Sequence, residues 1–123
     1  MIVADTSVLI DYLNKRDPHH ARVRGLIESG QLATTVITRF ELLVGSRATT
    51  EPSIRALLAA LPCRGIDADI ADQAGAIGNE LDRTGRRIGA ADTLIAAIVL
   101  ANGDSLLTGN VEHFKRVKGL QIA

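Results

Sequence analysis

The first twelve residues, MIVADTSVLIDY, constrain the fold more than any other stretch of the chain. Ile2–Ala4 is a short apolar run with β-branched residues, which predicts a buried strand. Asp5 ends this strand, and Thr6 and Ser7, residues typical of helix N-caps, precede apolar residues at helical spacing. The segment therefore predicts a strand, a turn and a helix, with a carboxylate at the carboxyl end of the strand.

Asp5 has two interpretations. Ligands of open α/β sheets bind at the carboxyl ends of the strands, where this residue lies. A buried charge is costly unless a cation or hydrogen-bond donors meet it, which favours a functional site. The alternative is that Asp5 only caps the helix that follows.

The composition is that of a globular protein and bounds its partners. The length of 123 residues fits one domain, 1–123, and 46% of the residues are hydrophobic. Fourteen basic residues balance fourteen acidic ones, which argues against strong non-specific binding through phosphates but allows a local basic rim. Because only 2% of the residues are aromatic, a platform for stacking nucleobases is disfavoured.

Cysteine content and hydropathy indicate the compartment. Cys63 is the only cysteine, so the chain has no disulfide framework and no cysteine metal site, as expected in a reducing cytosol. The N-terminus lacks the basic region of a signal peptide, and the longest apolar run is far too short to span a bilayer. We therefore expect a cytoplasmic protein without membrane association.

The remainder of the chain alternates between strand and helix patterns. Strands are predicted at 32–37, 64–66, 105–108 and 120–122. Helices are predicted at about 6–14, 18–29, 39–44, 52–61, 69–84 (with Asp69 as its N-cap) and 93–101, and a short helix or loop at 111–117. Such alternation predicts an α/β fold with a mostly parallel sheet of four to five strands and helices on both faces. No repeat or linker divides the chain.

Three acids, Asp5, Glu41 and Asp92, each lie at a predicted strand end or helix start, and Asn110 follows the strand 105–108. Clustered carboxylates repel one another, and a divalent cation removes the conflict. Ligands that are all oxygen select hard ions, hence Mg²⁺, with Mn²⁺ as a substitute. Each residue also has a local explanation. Glu41 can close a capping box with Thr38, Asp92 can complement the dipole of a helix, and Asn110 suits a turn.

Other polar residues give weaker signals. His19 and His20 are expected to be solvated, because no partner lies at metal-ligand spacing. Arg86 and Arg87 lie with Arg83 at a helix junction, either as a solvated turn or as substrate contacts. A Ser-His-Asp triad, a phosphate-binding loop and a dinucleotide fingerprint are not found in the sequence.

Four segments in order resemble the PIN domain, specifically the VapC toxin ribonucleases of prokaryotic toxin–antitoxin pairs. These segments are VADTSVLIDYL, ITRFELLVG, IGAADTLIAAIVLANG and LLTGNVEHF, and they extend over almost the whole chain. The resemblance implies a Rossmann-like fold, cleavage of RNA, a dimer, and an antitoxin that occludes the site.

The resemblance also assigns roles to residues. It makes Asp5, Glu41 and Asp92 the acids around the metal, and Thr6, Ser7 and Thr108 polar supports of the site. The family often has a fourth acid two positions after a threonine, which corresponds here to Thr108. This chain has Asn110 at that position instead, which leaves less negative charge for a second metal ion. We therefore expect Asp5 and Asp92 to bind Mg²⁺ directly. Glu41 is expected to bind the ion or orient its water, and Asn110 to complete the shell.

Two other functional classes remain open at this level. One is an interaction module without a metal, in which the acids are only caps; a metal titration distinguishes it. The other is a phosphotransfer protein that forms an aspartyl phosphate. A haloacid-dehalogenase-like phosphatase needs a second Asp two positions after the first, where this chain has Ser7. A receiver domain needs an acceptor Asp at the end of its third strand and a Lys later in the chain, and Asp67 and Lys115 match these positions poorly.

Overall fold

The sheet of the computed structural model, which describes residues 1–123, contains four parallel strands. In chain order they are β1 (Ile2–Ala4), β2 (Leu32–Thr35), β3 (Cys63–Arg64) and β4 (Ser105–Leu107). Their order across the sheet is β3-β2-β1-β4, so the first strand pairs with the last. This arrangement brings the carboxyl ends of β1, β2 and β4 to one edge.

Seven helices connect and cover these strands. They are α1 (Thr6–Leu13), α2 (His19–Glu28), α3 (Val36–Val44), α4 (Glu51–Ala60), α5 (Ala68–Arg83), α6 (Ala90–Ala101) and α7 (Val111–Phe114). None of them is long and apolar enough to cross a membrane. The α/β class, the parallel sheet and helices on both of its faces are therefore confirmed.

Alternate residues of the strands build two separate hydrophobic clusters, one on each face of the sheet. In β1, Ala4 belongs to the cluster packed against α1–α4, whereas Val3 belongs to the cluster packed against α5–α7. The same alternation places Leu107 and Leu106 of β4 in the first and the second cluster, respectively. The largest fully buried side chain is Phe114, in a core that is otherwise built from aliphatic residues.

Two predicted helix caps are wrong by two or three residues. Helix α3 begins at Val36 with Thr35 as its N-cap, and the Thr35 side chain accepts a hydrogen bond from Thr38 N. Thr38 therefore lies inside the helix, and the capping box with Glu41 does not form. Helix α5 is capped by Asp67, whose Oδ1 accepts from Ile70 N at 2.9 Å, and not by Asp69.

The edges of the sheet also differ in detail from the sequence prediction. Strand β2 ends at Thr35 rather than at residue 37, because the backbone enters α3 there. The predicted strand at 120–122 is reduced to a single parallel bridge between Leu106 and Ile122. The sheet thus has the lower of the two predicted strand numbers.

His19 and His20 are half-buried rather than fully solvated as expected from the sequence. His19 Nδ1 lies 2.8 Å from Asp11 Oδ2. His20 Nδ1 lies 3.1 Å from the carbonyl oxygen of Tyr12, and its ring stacks on the Tyr12 ring. Both rings are partly enclosed because α2 packs back against α1.

Candidate active site

Asp5 is held at the end of β1 by three donors. Its side chain is buried, and its Oδ1 accepts from Val8 N at 3.0 Å and from Ser7 Oγ at 2.9 Å. Its Oδ2 accepts from Thr108 Oγ1, which follows β4, at 2.5 Å. The carboxylate is therefore both a helix cap and a fixed negative group where two neighbouring strands end.

Glu41 points from the second turn of α3 toward the start of α1. Its Oε1 accepts a hydrogen bond of 2.6 Å from Thr6 Oγ1. Thr38 Oγ1 lies 3.1 Å from Thr6 Oγ1. Because Thr6 already donates its only hydroxyl proton to Glu41, Thr38 is the donor in this second bond. Two threonines thus hold the Glu41 carboxylate at Thr6, the residue directly after Asp5, whereas the predicted capping box would have turned it back along its own helix.

Asp92 lies in the first turn of α6 and is half-buried. Burial raises the pKa of this carboxyl, and the charge of His113 opposes that increase. Repulsion by the Asp5 and Glu41 carboxylates raises the pKa of Asp92 further. The three predicted acids therefore act on one another electrostatically, although they come from the beginning, the middle and the end of the chain.

His113 is a site residue that the sequence analysis did not single out. Its Nε2 lies 3.1 Å from Asp92 Oδ2 and 2.8 Å from the carbonyl oxygen of Ile88. Because a carbonyl only accepts, Nε2 carries a proton and joins α7 to the entry of α6. The sequence signal that could have identified His113 is its position three residues after Asn110, at the same edge of the sheet.

Asn110 lies in the turn between β4 and α7 and is exposed. Its backbone N–H donates to Thr108 Oγ1 at 2.9 Å, so the turn is attached to the threonine that holds Asp5. The Asn110 side chain makes no hydrogen bond within the chain. Its predicted role as a metal ligand stays a prediction.

Arg86 and Arg87 lie between α5 and α6 and are both exposed. Arg87 binds Asp82 through two hydrogen bonds of 2.8 and 3.2 Å, which lower the pKa of Asp82. Arg86 forms no ion pair. Because Ile88 follows directly and accepts a bond from His113, this basic segment adjoins the Asp92 side of the site.

Comparison with known proteins identifies the family. The sequence profile of the PIN domain matches residues 2–120. The chain belongs to the PIN-domain family. It is 31% identical over 122 residues to Ribonuclease VapC19 of Mycobacterium tuberculosis, covering 98% of each chain. It is 30% identical over 122 residues to the tRNA(fMet)-specific endonuclease VapC of Shigella flexneri, covering 95% of this chain and 92% of that one.

Solved structures agree with this assignment. One of them is the crystal structure of VapBC2 from Rickettsia felis bound to a DNA fragment from its promoter. A chain of that structure superposes on this chain with a TM-score of 0.87 at 26% identity. The match covers 100% of this chain and 98% of that chain. The PIN fold expected from the four sequence segments is therefore confirmed over the whole chain.

The PIN-domain site suits a hard divalent cation in its donor chemistry. VapC-type PIN nucleases are generally dependent on divalent metals. The predicted ligands here are all oxygens, and burial, together with repulsion by Asp5 and Glu41, raises the pKa of Asp92, so a cation would favour its ionised form. No three side chains of His, Cys, Asp or Glu are gathered closely enough to enclose an ion by themselves.

Proposed function

We propose that this protein is a VapC-type endoribonuclease, the toxin of a toxin–antitoxin pair, and that it hydrolyses RNA with Mg²⁺. The observation that carries the proposal is geometric: Asp5 at the end of β1, Glu41 bonded to Thr6 directly after it, and Asp92 in the first turn of α6 lie at one edge of the sheet, near enough for Asp5 and Glu41 to add to the effect of burial on the pKa of Asp92. Carboxylates that only cap their own helices have no need to lie near one another. The named ribonuclease relatives of almost equal length support the reaction class.

Asp5 and Asp92 are the proposed direct ligands of Mg²⁺. Glu41 binds the ion or accepts a hydrogen bond from its water, and Asn110 contributes a neutral oxygen. A bound divalent cation supplies an activated water and offsets charge on the leaving oxygen. Ser7 and Thr108 hold Asp5 in place, and Thr6 holds Glu41.

The substrate is RNA, and the bond broken is a phosphodiester P–O bond to which the elements of water are added. The acidic centre repels the phosphates of RNA, so cationic groups have to offset this at the rim. Arg86, which has no acidic partner, and Arg87 are the proposed contacts on the Asp92 side. The tRNA named for the Shigella relative makes tRNA the first substrate to test.

The proposed partner is a VapB-like antitoxin, as in the VapBC neighbour from Rickettsia felis. We propose a cytoplasmic location, because the proposed RNA substrate and partner would be met there. We also propose a homodimer. Phe40 and Val44, one turn apart on α3, are 66% and 69% exposed, which leaves an apolar strip for a second copy. Light scattering of the protein without antitoxin, at micromolar concentration, tests the dimer, and a monomer contradicts it.

The activity test compares the wild type with Asp5→Asn and Asp92→Asn on total tRNA in the presence of Mg²⁺. The wild type should cut and both variants should not, while circular dichroism shows that they remain folded. Sequencing the RNA ends then identifies the cut site. Full activity of either purified variant contradicts the metal-site assignment. Absence of cleavage together with absence of a Mn²⁺-dependent thermal shift favours an interaction module instead.

A further inference from the structure

The Asp11–His19 pair presents an unused hydrogen-bond acceptor. His19 Nδ1 lies 2.8 Å from Asp11 Oδ2, and the His19 side chain is 21% exposed. Because a carboxylate only accepts, Nδ1 carries the proton and donates to Asp11. In the neutral ring Nε2 then presents a lone pair, and it makes no hydrogen bond within the chain. The half-buried ring is thus fixed at Nδ1, while Nε2 has no hydrogen-bond partner within the chain.

The Nε2 side of the ring lies at the rim of the candidate active site. A Cβ built on Gly109 would lie 3.1 Å from His19 Cε1 and 3.9 Å from Nε2, so the ring packs closely against this glycine and a side chain here would push on it. Gly109 directly follows Thr108, which donates to Asp5. The unused acceptor is therefore separated by one residue from the group that holds the buried carboxylate.

The charges around this pair suit an RNA backbone. Arg16 Nη1 lies 3.8 Å from Asp11 Oδ1 and the Arg16 side chain is 68% exposed, with Lys15 exposed next to it. These cations attract phosphate, but a lone pair on Nε2 needs a donor. The ribose 2′-hydroxyl is a donor that every nucleotide of RNA carries and DNA lacks.

We propose that His19 Nε2 accepts a hydrogen bond from the 2′-hydroxyl of a nucleotide next to the scissile phosphate, while Arg16 faces a neighbouring phosphate. This inference rests on the proposed function and names the residue that distinguishes RNA from DNA. Asp11 is a positioning residue, because its carboxylate keeps the proton on Nδ1 and leaves Nε2 free to accept.

The decisive measurement is the ratio of RNA affinity to DNA affinity. Fluorescence anisotropy is recorded with a fluorescein-labelled single-stranded RNA oligonucleotide and with the DNA oligonucleotide of the same sequence. The Asp92→Asn variant in Mg²⁺ serves as the non-cleaving parent. Adding His19→Phe, which keeps a ring against Gly109, should weaken RNA binding about two- to tenfold, the size of one neutral hydrogen bond, and leave DNA binding unchanged. Adding His20→Ala is the matched control, because the His20 ring stacks on Tyr12, and the ratio should not change.

A second variant tests the role of Asp11. In Asp11→Ala no acceptor faces Nδ1, so the ring proton is no longer held there and can move to Nε2, which removes the acceptor. The preference for RNA should fall as it does in His19→Phe, and the melting temperature should fall no further than in the His20→Ala control. Retention of the full preference contradicts the assignment of Asp11.

Single 2′-deoxy substitutions then locate the contact. In a substrate that carries the mapped cut site, one deoxy position should lower kcat/KM for the wild type and not for His19→Phe. If His19→Phe retains the parent's RNA preference, or loses RNA and DNA affinity equally, the inference is wrong even though the wild type cleaves RNA. A wild type that shows His19-dependent preference for RNA but never cleaves it contradicts the proposed function and leaves this inference standing.

Discussion

Thr108 donates its hydroxyl proton to Asp5 across the pair formed by the last and the first strand of the sheet. The two oxygens are 2.5 Å apart, and the residues are 103 positions apart in the sequence. Both side chains are buried, so water does not replace this bond easily. The bond holds Oδ2 of Asp5 at Thr108, while Oδ1 caps α1 by accepting from Val8 N.

Replacing Thr108 with valine keeps the shape of the side chain and removes the donor. We expect Thr108→Val to lower Mn²⁺ affinity and cleavage about 10- to 100-fold, as is typical when a group that orients a metal ligand is removed. Isothermal titration calorimetry and initial cleavage rates measure the two effects. Wild-type values for both contradict a supporting role of Thr108.

Thr34 provides the matched control for this exchange. It is also a fully buried threonine, but its Oγ1 has no hydrogen-bond partner. Thr34→Val should therefore leave cleavage unchanged and raise the free energy of unfolding by about 1–3 kcal/mol, since an unsatisfied buried hydroxyl is removed. Denaturant unfolding at neutral pH tests this, and a loss of stability contradicts it.

The raised pKa of Asp92 predicts how stability depends on pH without metal. The folded protein binds the Asp92 proton more tightly than the unfolded chain. This contribution to stability is present below the ordinary Asp pKa and is lost as the pH rises through the raised value. Asp92→Asn removes the penalty, so its melting temperature should exceed that of the wild type by an amount that grows over this window and then levels off. A constant difference across the pH range contradicts the assignment.

Metal should reverse this order. A divalent cation favours the ionised carboxylates, so Mn²⁺ should raise the melting temperature of the wild type above that of Asp92→Asn at neutral pH. Chelation with EDTA should restore the original order. Equal stabilisation of the two proteins by Mn²⁺ would show that Asp92 is not a ligand.

His113 lowers the pKa of Asp92 through its charge and through a hydrogen bond. His113→Ala removes both contributions, so the pKa of Asp92 should rise further. His113→Gln can keep an N–H donor toward Ile88 and Asp92 without the charge, and should give an intermediate value. Carbon-13 NMR of the side-chain carboxyl, recorded against pH without metal, measures all three proteins. An unchanged Asp92 titration in His113→Ala contradicts the contact.

If Asn110 is a metal ligand as proposed, its neutral side chain limits the charge available to the metal. Asn110→Asp should tighten Mn²⁺ binding, because it adds a negative oxygen at the proposed ligand position. Asn110→Ala should impair cleavage less than Asp92→Ala, because only a neutral ligand is lost. If calorimetry shows unchanged affinity and stoichiometry for Asn110→Asp, the residue belongs to the turn and does not face the metal.

The antitoxin should compete with the metal for the same carboxylates. A basic side chain, above all arginine, can pair with two carboxylate oxygens where Mg²⁺ would bind. We therefore expect Mn²⁺ affinity of the purified toxin–antitoxin complex to be far below that of the free toxin. Unchanged Mn²⁺ affinity of Asp5, Glu41 and Asp92 in the complex contradicts this mode of inhibition.

The positions of the acids in the fold could be predicted from the sequence, whereas their roles at a metal site stay a prediction. Asp5 follows β1 and Asp92 lies in the first turn of α6, as expected, because strand ends and helix starts follow from short-range patterns of apolar residues. Glu41 was also located near a helix start, but its capping box was wrong. The pattern Thr-x-x-Glu does not show whether Thr35 or Thr38 ends the strand and caps the helix. In the structure the buried Thr35 does both.

The two histidines show where sequence patterns are insufficient. His113 was not singled out because its partners, Asp92 and the Ile88 carbonyl, come from another helix and the loop before it. His19 was predicted to be solvated, yet it packs against Gly109, ninety positions away along the chain. Both contacts depend on how α2 and α7 meet the edge of the sheet, which local periodicity does not encode.

The pairing of β1 with β4 has a consequence for the time at which Asp5 becomes oriented during synthesis of the chain. The ribosome releases Asp5 first, but the strand that flanks it and the Thr108 hydroxyl that orients it emerge about one hundred residues later. A nascent chain therefore carries the acids of a nuclease without their geometry. The buried Asp5–Thr108 bond can therefore form only after Thr108 has left the ribosome, and until then Asp5 lacks the group that orients it in the folded protein.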